Sequence, residues 1–200
     1  MPDLRLFDVR ADMPSRAGNA AQPRAGAILG LAVHHSAVIH PATGLSTGGA
    51  REIFDVQVNH NGWEHGGYHY LIAPNGRIEY ALDEAVPAFH AGFTDPDDRL
   101  GLEHGQYWNQ HYLAVCLLGW FDSGRQVSGA GGPARAVPDF FTHPAQAQWQ
   151  ALLVLIRMLR ARYAFPLENV RGHRELAGCH TRCPGENVDL DALRTALRGD

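Results

Sequence analysis

Ile28-Leu29-Gly30-Leu31-Ala32-Val33-His34-His35 is an apolar run of strand length that ends in two histidines. Side chains alternate between the faces of a strand, so His34 and His35 point in opposite directions and only one can enter a given site. A histidine at the end of a buried strand is held rigidly, as a metal ligand needs to be, although a core or surface pair has the same local signature. Farther along, Tyr112-Leu113-Ala114-Val115-Cys116-Leu117-Leu118 is nearly all apolar, the pattern of a central strand covered on both faces. Tyr68-His69-Tyr70-Leu71-Ile72 alternates into Asn75-Gly76 and then Arg77-Ile78-Glu79-Tyr80, which predicts a hairpin closed by a tight primed turn. A short strand near Val170 leads into Gly172-His173-Arg174-Glu175.

Between these strands, Ala50 to His60 is weakly helical. From His143 to Tyr163 the residues Trp149, Leu152, Leu153, Ile156, Leu159 and Tyr163 recur at helical spacing. Thr142 is expected to cap that helix, with Pro144 in its first turn. A final helix covers about Asp189 to Leu197. Residues 40–49 and 91–108 read as loops, and residues 122–139 as an insertion rich in Gly, Ser and Pro. Strands alternating with helices predict an α/β fold: a single domain with a mixed central β-sheet flanked by helices, over residues 28–200, preceded by an N-terminal arm of residues 1–27.

Two hundred residues suit one domain, and a hydrophobic share of 45% is enough for a core. A net charge of −4 lacks the electrostatic footprint of a nucleic-acid binder. All seventeen basic residues are arginine. No stretch approaches the roughly 20 apolar residues that span a bilayer. The start, Met1-Pro2-Asp3-Leu4-Arg5, lacks the basic-then-apolar plan of a secretory signal: either the chain is not exported by that route or a leader has been removed, and a cytoplasmic protein and a phage-released one both stay open. Three cysteines are too few for a disulfide scaffold.

The densest chemistry is His173-Arg174-Glu175-Leu176-Ala177-Gly178-Cys179-His180-Thr181-Arg182-Cys183-Pro184-Gly185. Taken locally, it allows three arrangements. Cys179, Cys183, His173 and His180 can close around a structural zinc with no corner left for water. His173 and Cys183 can join a distant histidine in an open site. A Cys179–Cys183 disulfide would destroy either zinc site.

The wider sequence resembles a known family. Val33-His34-His35-Ser36-Ala37, then Gly67-Tyr68-His69-Tyr70, then His173-Arg174-Glu175 and Thr181-Arg182-Cys183-Pro184-Gly185 are similar, in that order, to the type 2 N-acetylmuramoyl-L-alanine amidases. That group also contains phage lysozymes of the T7 kind and animal peptidoglycan recognition proteins. Arg51-Glu52-Ile53 with Gly62-Trp63, His90-Ala91-Gly92 and Asn109 through Gly119 match too, so the resemblance spans about residues 31–195.

The resemblance implies a zinc groove on one face of the sheet, with His34, His173 and Cys183 as zinc ligands. It implies that Tyr68 and Thr181 are catalytic. Phage members often carry lysine at the position of Thr181, and catalytic recognition proteins carry threonine. Trp63, His90 and Trp108 are expected at the substrate. The implied activity is zinc-dependent hydrolysis of the amide between N-acetylmuramic acid and L-alanine, by a monomer acting on peptidoglycan or muropeptides. The segment between His173 and Cys183 is a little longer than in many members, which leaves His180 as a rival ligand. The paired cysteines of many animal recognition proteins are missing, which favours a bacterial or phage origin. Competing expectations are a peptidoglycan-binding module without catalysis, a cysteine hydrolase built on Cys183, and a structural zinc domain.

Overall fold

The computed structural model describes residues 5–16, 21–37, 49–92, 104–122, 126–127, 135–136 and 142–199. Its centre is a six-stranded mixed sheet of β1 (Leu6–Asp8), β2 (Gly30–His35), β3 (Tyr70–Ile72), β4 (Ile78–Tyr80), β5 (Tyr112–Leu117) and β8 (Val170–Gly172), in the order β1-β4-β3-β5-β2-β8. All neighbours run parallel except β3 and β4. Two short segments, β6 (Gln126–Val127) and β7 (Arg135–Ala136), pair antiparallel; the rest of the insertion foreseen at 122–139 falls almost wholly outside the described residues, as does most of the loop at 40–49. Leu6–Asp8, from the expected N-terminal arm, forms an edge strand of the main sheet.

The helices are α1 (Ala50–Asp55), which continues as a π-helical turn at Val56–His60, α2 (His104–His111), α3 (Gln146–Tyr163) and α4 (Leu190–Arg198). Alternation along the strands sorts the core into two layers. Leu31, Val33, Leu113, Val115, Leu117, Tyr70 and Ile72 face α3 and α4, meeting Leu152, Leu155, Ile156, Leu159, Leu193 and Leu197. The opposite face presents smaller side chains: Ala114 and Cys116 pack with Ile53 and Phe54 of α1, and Ala32 with Trp108 of α2. His34 pairs with Cys116 in register and belongs to this second face, where the small neighbours leave room for imidazoles.

Three local expectations are corrected. The hairpin turn is not a two-residue primed turn: Gly76 N–H donates to the Ala73 carbonyl, and of Asn75 and Gly76 only the glycine has a positive φ (+80°). Pro74 holds φ near −65°, which rules out a positive-φ first corner and leaves the three-residue form with glycine last. α3 starts at Gln146 after an extended Ala145, with no side-chain cap. Thr142 is engaged elsewhere, its hydroxyl with His143 and its carbonyl accepting from Asn187 Nδ2. Of the loop read at 91–108, residues 93–103 lie outside the described residues and 104–108 are helical, because α2 occupies His104–His111 and passes directly into β5. Asp189, where the final helix was expected to begin, caps α4, accepting from Ala192 N–H at 2.8 Å. Among the described residues no helix is long and apolar enough to cross a membrane.

Gln148 ties α3 to the sheet ends nearest the histidines. It is 1% exposed, and its Nε2 donates to the carbonyls of Ile72 (2.7 Å) and Leu118 (3.1 Å). Gln148→Leu keeps the volume and removes both donors, so a loss of about 1–3 kcal/mol is expected in urea unfolding. An unchanged midpoint would show that this tie contributes nothing.

Candidate metal centre

Three side chains from distant segments meet above the small-residue face of the sheet. His34, His173 and Cys183 each offer a ligand atom, and those atoms lie within 4.8 Å of one another. His34 Nδ1 stands 3.6 Å from Cys183 Sγ, and the rings of His34 and His173 are 4.5 Å apart at 49°. His34 comes from the end of β2, His173 from the 3-10 turn that follows β8, and Cys183 from the loop beyond it. Because β2 lies directly beside β8, the two histidines are brought together by register. His35 points the other way, as alternation requires: its ring lies 5.9 Å from that of Trp120, and its Nδ1 accepts from Phe121 N–H.

The motif residues around the donors build the scaffold. Glu175 accepts from Gly172 N–H (2.9 Å) and pairs with both terminal nitrogens of Arg194 (3.0 Å each), which fixes the turn carrying His173. Arg174 N–H donates to the Cys183 carbonyl (2.8 Å), while its guanidinium grips the carbonyls of Gly185 (2.6 Å) and Val188 (3.0 Å). The cysteine loop is thus clamped to the histidine turn by the residue next to His173. Asp122 accepts from Glu186 N–H (3.1 Å), and the Phe121 carbonyl accepts from Asn187 N–H (2.9 Å), holding the same loop from the β5 side. Arg174 and Glu175 have no role legible in the sequence, because most of their partners lie 11 to 19 residues away, where spacing does not reveal them.

Burial sets the protonation states. It depresses His34 well below the usual imidazole range, aided by His173 and His90 nearby, and lowers His173 to about 4. Both are therefore neutral at pH 7 and keep a lone pair for a metal. Burial also pushes the Cys183 thiol up to about 12, against the hydrogen bond from His35 N–H to its sulfur (3.4 Å). A cation is what would draw off that proton. Two imidazoles and a thiol are a donor set that suits zinc.

Tyr68 stands next to this cluster, its ring 5.4 Å from that of His34. Burial, with Cys116 and Cys183 close by, raises its phenol well above the ordinary range, so it is a hydrogen-bond donor at neutral pH. Thr181 Oγ1 accepts from Cys183 N–H (3.1 Å) and retains its own hydrogen to donate. Trp63 is half-buried, set edge-on to Phe89.

Two residues expected at the substrate are placed differently. His90 is 6% exposed and lies behind His34, its Nδ1 3.0 Å from His34 Nε2. Trp108 is 8% exposed; it packs on Ala32 and Leu176 and donates from Nε1 to the Ala177 carbonyl (2.8 Å). His90 reaches His34 from within, and Trp108 is turned onto the sheet because α2 packs there, where a loop was foreseen.

Cys179 and His180, the rival ligands of the cysteine motif, lie apart from the three donor side chains. All three cysteines are free thiols. Cys179 packs beside Ala32 and Trp108 with its sulfur 3.7 Å from the Ala91 carbonyl, and His180 is exposed. Neither belongs to the donor cluster. A separate depression of about 410 Å³, lined by Leu167, Glu168, Arg171, Glu175, Arg194 and Arg198, includes none of the three donors.

The family profile for N-acetylmuramoyl-L-alanine amidase matches residues 27–186. No curated protein sequence matches the chain. Solved structures with a similar fold include the N-acetylmuramoyl-L-alanine amidase LysC from Clostridium intestinale URNW (TM-score 0.64, 16% identity, 96% of this chain and 97% of that one). Others are the Ph2119 endolysin from the Thermus scotoductus MAT2119 bacteriophage Ph2119 (0.62, 21%, 96% and 99%) and a Drosophila PGRP-LB mutant in complex with tracheal cytotoxin (0.60, 21%, 92% and 89%).

Gly185 gives a direct test of the cysteine loop. Its φ is +101°, and a Cβ there would sit 2.5 Å from the Phe121 carbonyl oxygen. Since the obstacle is backbone, Gly185→Ala is expected to cost about 1–3 kcal/mol in guanidinium unfolding. Wild-type stability in that variant would mean that the loop relaxes freely.

Proposed function

Because the chain belongs to the N-acetylmuramoyl-L-alanine amidase family, we propose that it hydrolyses the amide joining N-acetylmuramic acid to the first L-alanine of the peptidoglycan stem, with zinc held by His34, His173 and Cys183. The observation that carries this reading is the three-donor cluster itself. Structural zinc sites close with four protein ligands, whereas hydrolytic sites keep three and leave one position open. Among the described residues no fourth side chain joins the group.

Zinc, when bound, supplies Lewis acidity toward the scissile carbonyl and makes water nucleophilic near neutral pH. The chain's own residues do the rest. Neutral His34 and His173 offer lone pairs without a proton to displace. Tyr68, a donor beside His34, would hydrogen-bond the oxyanion as the carbonyl carbon becomes tetrahedral. Thr181 offers a second hydroxyl, oriented by its bond from Cys183 N–H. Trp63, half-buried beside the Gly66-Gly67-Tyr68 stretch, is the candidate for substrate contact that keeps exposed surface. The likeness to a recognition protein captured with tracheal cytotoxin supports a muropeptide as ligand. The same likeness favours a second reading, a module that binds peptidoglycan without cutting it.

Digestion of a defined muropeptide, followed by mass spectrometry, separates the two. Release of free stem peptide that stops with a chelator is expected for the wild type; binding without release would establish the second reading. Chelator-resistant release would instead point to a cysteine hydrolase using Cys183. Cys183→Ala is expected to lose both zinc and turnover. Tyr68→Phe should retain zinc and lose roughly a hundredfold or more in kcat; unchanged turnover would remove the phenol from the chemistry.

A further inference from the structure

His90 does no chemistry in the mechanism above, yet it is one of the most enclosed titratable groups beside the metal centre. Its surroundings define where every proton lies. The Trp108 carbonyl is among the last four of α2, which have no partner inside their own helix. His90 Nε2 lies 3.3 Å from that oxygen. A carbonyl only accepts, so Nε2 must carry the hydrogen. Both rings are buried (His34 1% exposed, His90 6%), and their ring-nitrogen contacts are to each other, the Trp108 carbonyl and Cys183 Sγ rather than to a carboxylate, so each is held neutral with a single proton. With its one hydrogen on Nε2, His90 has a bare Nδ1, and that atom stands 3.0 Å from His34 Nε2. His34 must therefore donate from Nε2, which leaves its Nδ1 bare and turned toward Cys183 Sγ at 3.6 Å.

The reverse order fails at both ends. A hydrogen on His90 Nδ1 would set the Nε2 lone pair against the Trp108 oxygen. It would also force the His34 hydrogen onto Nδ1, the atom that faces the other two donors. The position of the His90 ring is set by the same helix: Asn109, 4% exposed, accepts from His90 N–H and Ala91 N–H (3.0 Å each) and donates to the Gly92 carbonyl (2.9 Å). Adjacent residues of α2 thus supply the carbonyl that orders the protons and the amide that places the ring.

We infer that His90 is a positioning residue that fixes the tautomer of His34, through a relay from the Trp108 carbonyl, so that Nδ1 of His34 is the atom offered to a metal. The inference rests on the reading of His34 as a ligand. It predicts that metal affinity depends on a residue that never touches the ion, in the manner of outer partners that orient ligating histidines.

The test uses the full chain, metal-free and ¹⁵N-labelled, with long-range ¹H–¹⁵N correlation of the imidazoles at neutral pH. Both His34 and His90 are expected as neutral Nε2–H tautomers. Zinc competition against a chromogenic chelator is expected to show about 10–100-fold weaker binding in His90→Ala. His90→Gln, whose amide can accept from His34 and donate to Trp108, should recover most of that loss. A wild-type spectrum with the His34 hydrogen on Nδ1 would overturn the inference. So would unchanged zinc affinity in a His90→Ala protein with native circular dichroism. If that variant does not fold, the wild-type spectrum decides alone. Failure of the wild type to bind zinc would remove the metal reading while leaving the tautomer measurement intact.

Discussion

Burying His34 at the end of β2 imposes a requirement that organises everything around it. Bulk solvent does not reach an imidazole that is 1% exposed, so both ring nitrogens need partners inside the fold. Nε2 is met by His90, and Nδ1 is left toward Cys183 Sγ. Burial keeps the ring neutral, and neutrality is what makes the inner nitrogen a donor of electrons. The sheet contributes by keeping this face small: Ala32, Ala114 and Cys116 occupy positions where larger residues would fill the space that the imidazoles and Tyr68 now use.

The other two donors are delivered by different means. His173 follows from register, since β8 runs beside β2 and ends with Gly172 opposite Val33, the residue before His34. Cys183 lies in a loop, where neither strand nor helix dictates position, and its placement depends on many hydrogen bonds. Arg174, Asp122 and the Phe121 carbonyl supply them, closing on the loop from both sides. A rigid strand and an anchored loop together give the donor set a defined geometry before any metal arrives, as a hydrolytic site requires.

Much of this was legible in the sequence because it rests on short-range patterns. The apolar runs at 28–33 and 112–118 read correctly as strands, and the opposed directions of His34 and His35 followed from strand alternation alone. The resemblance to the amidase family singled out His173 and Cys183, which local spacing had left tied with Cys179 and His180. What stayed hidden depends on packing. His90 and Trp108 were expected at the substrate, since an aromatic or a histidine near a loop looks the same from either side. Only the descent of α2 onto the sheet turns them inward. The turn at Pro74-Asn75-Gly76 and the start of α3 were missed for a smaller reason: the signals were right in kind, but Pro74 and the commitments of Thr142 overrode them.

Hydrolysis of the proposed kind requires three side chains to share one ion with a position to spare. Zinc-edge X-ray absorption on the zinc-loaded chain measures that coordination directly. It should show two imidazole nitrogens near about 2.0–2.1 Å, one sulfur near about 2.3 Å and a fourth, light scatterer that is not histidine. A second sulfur or a third imidazole in the inner shell would mean that Cys179, His180 or His90 closes the site, and the hydrolytic reading would not survive it.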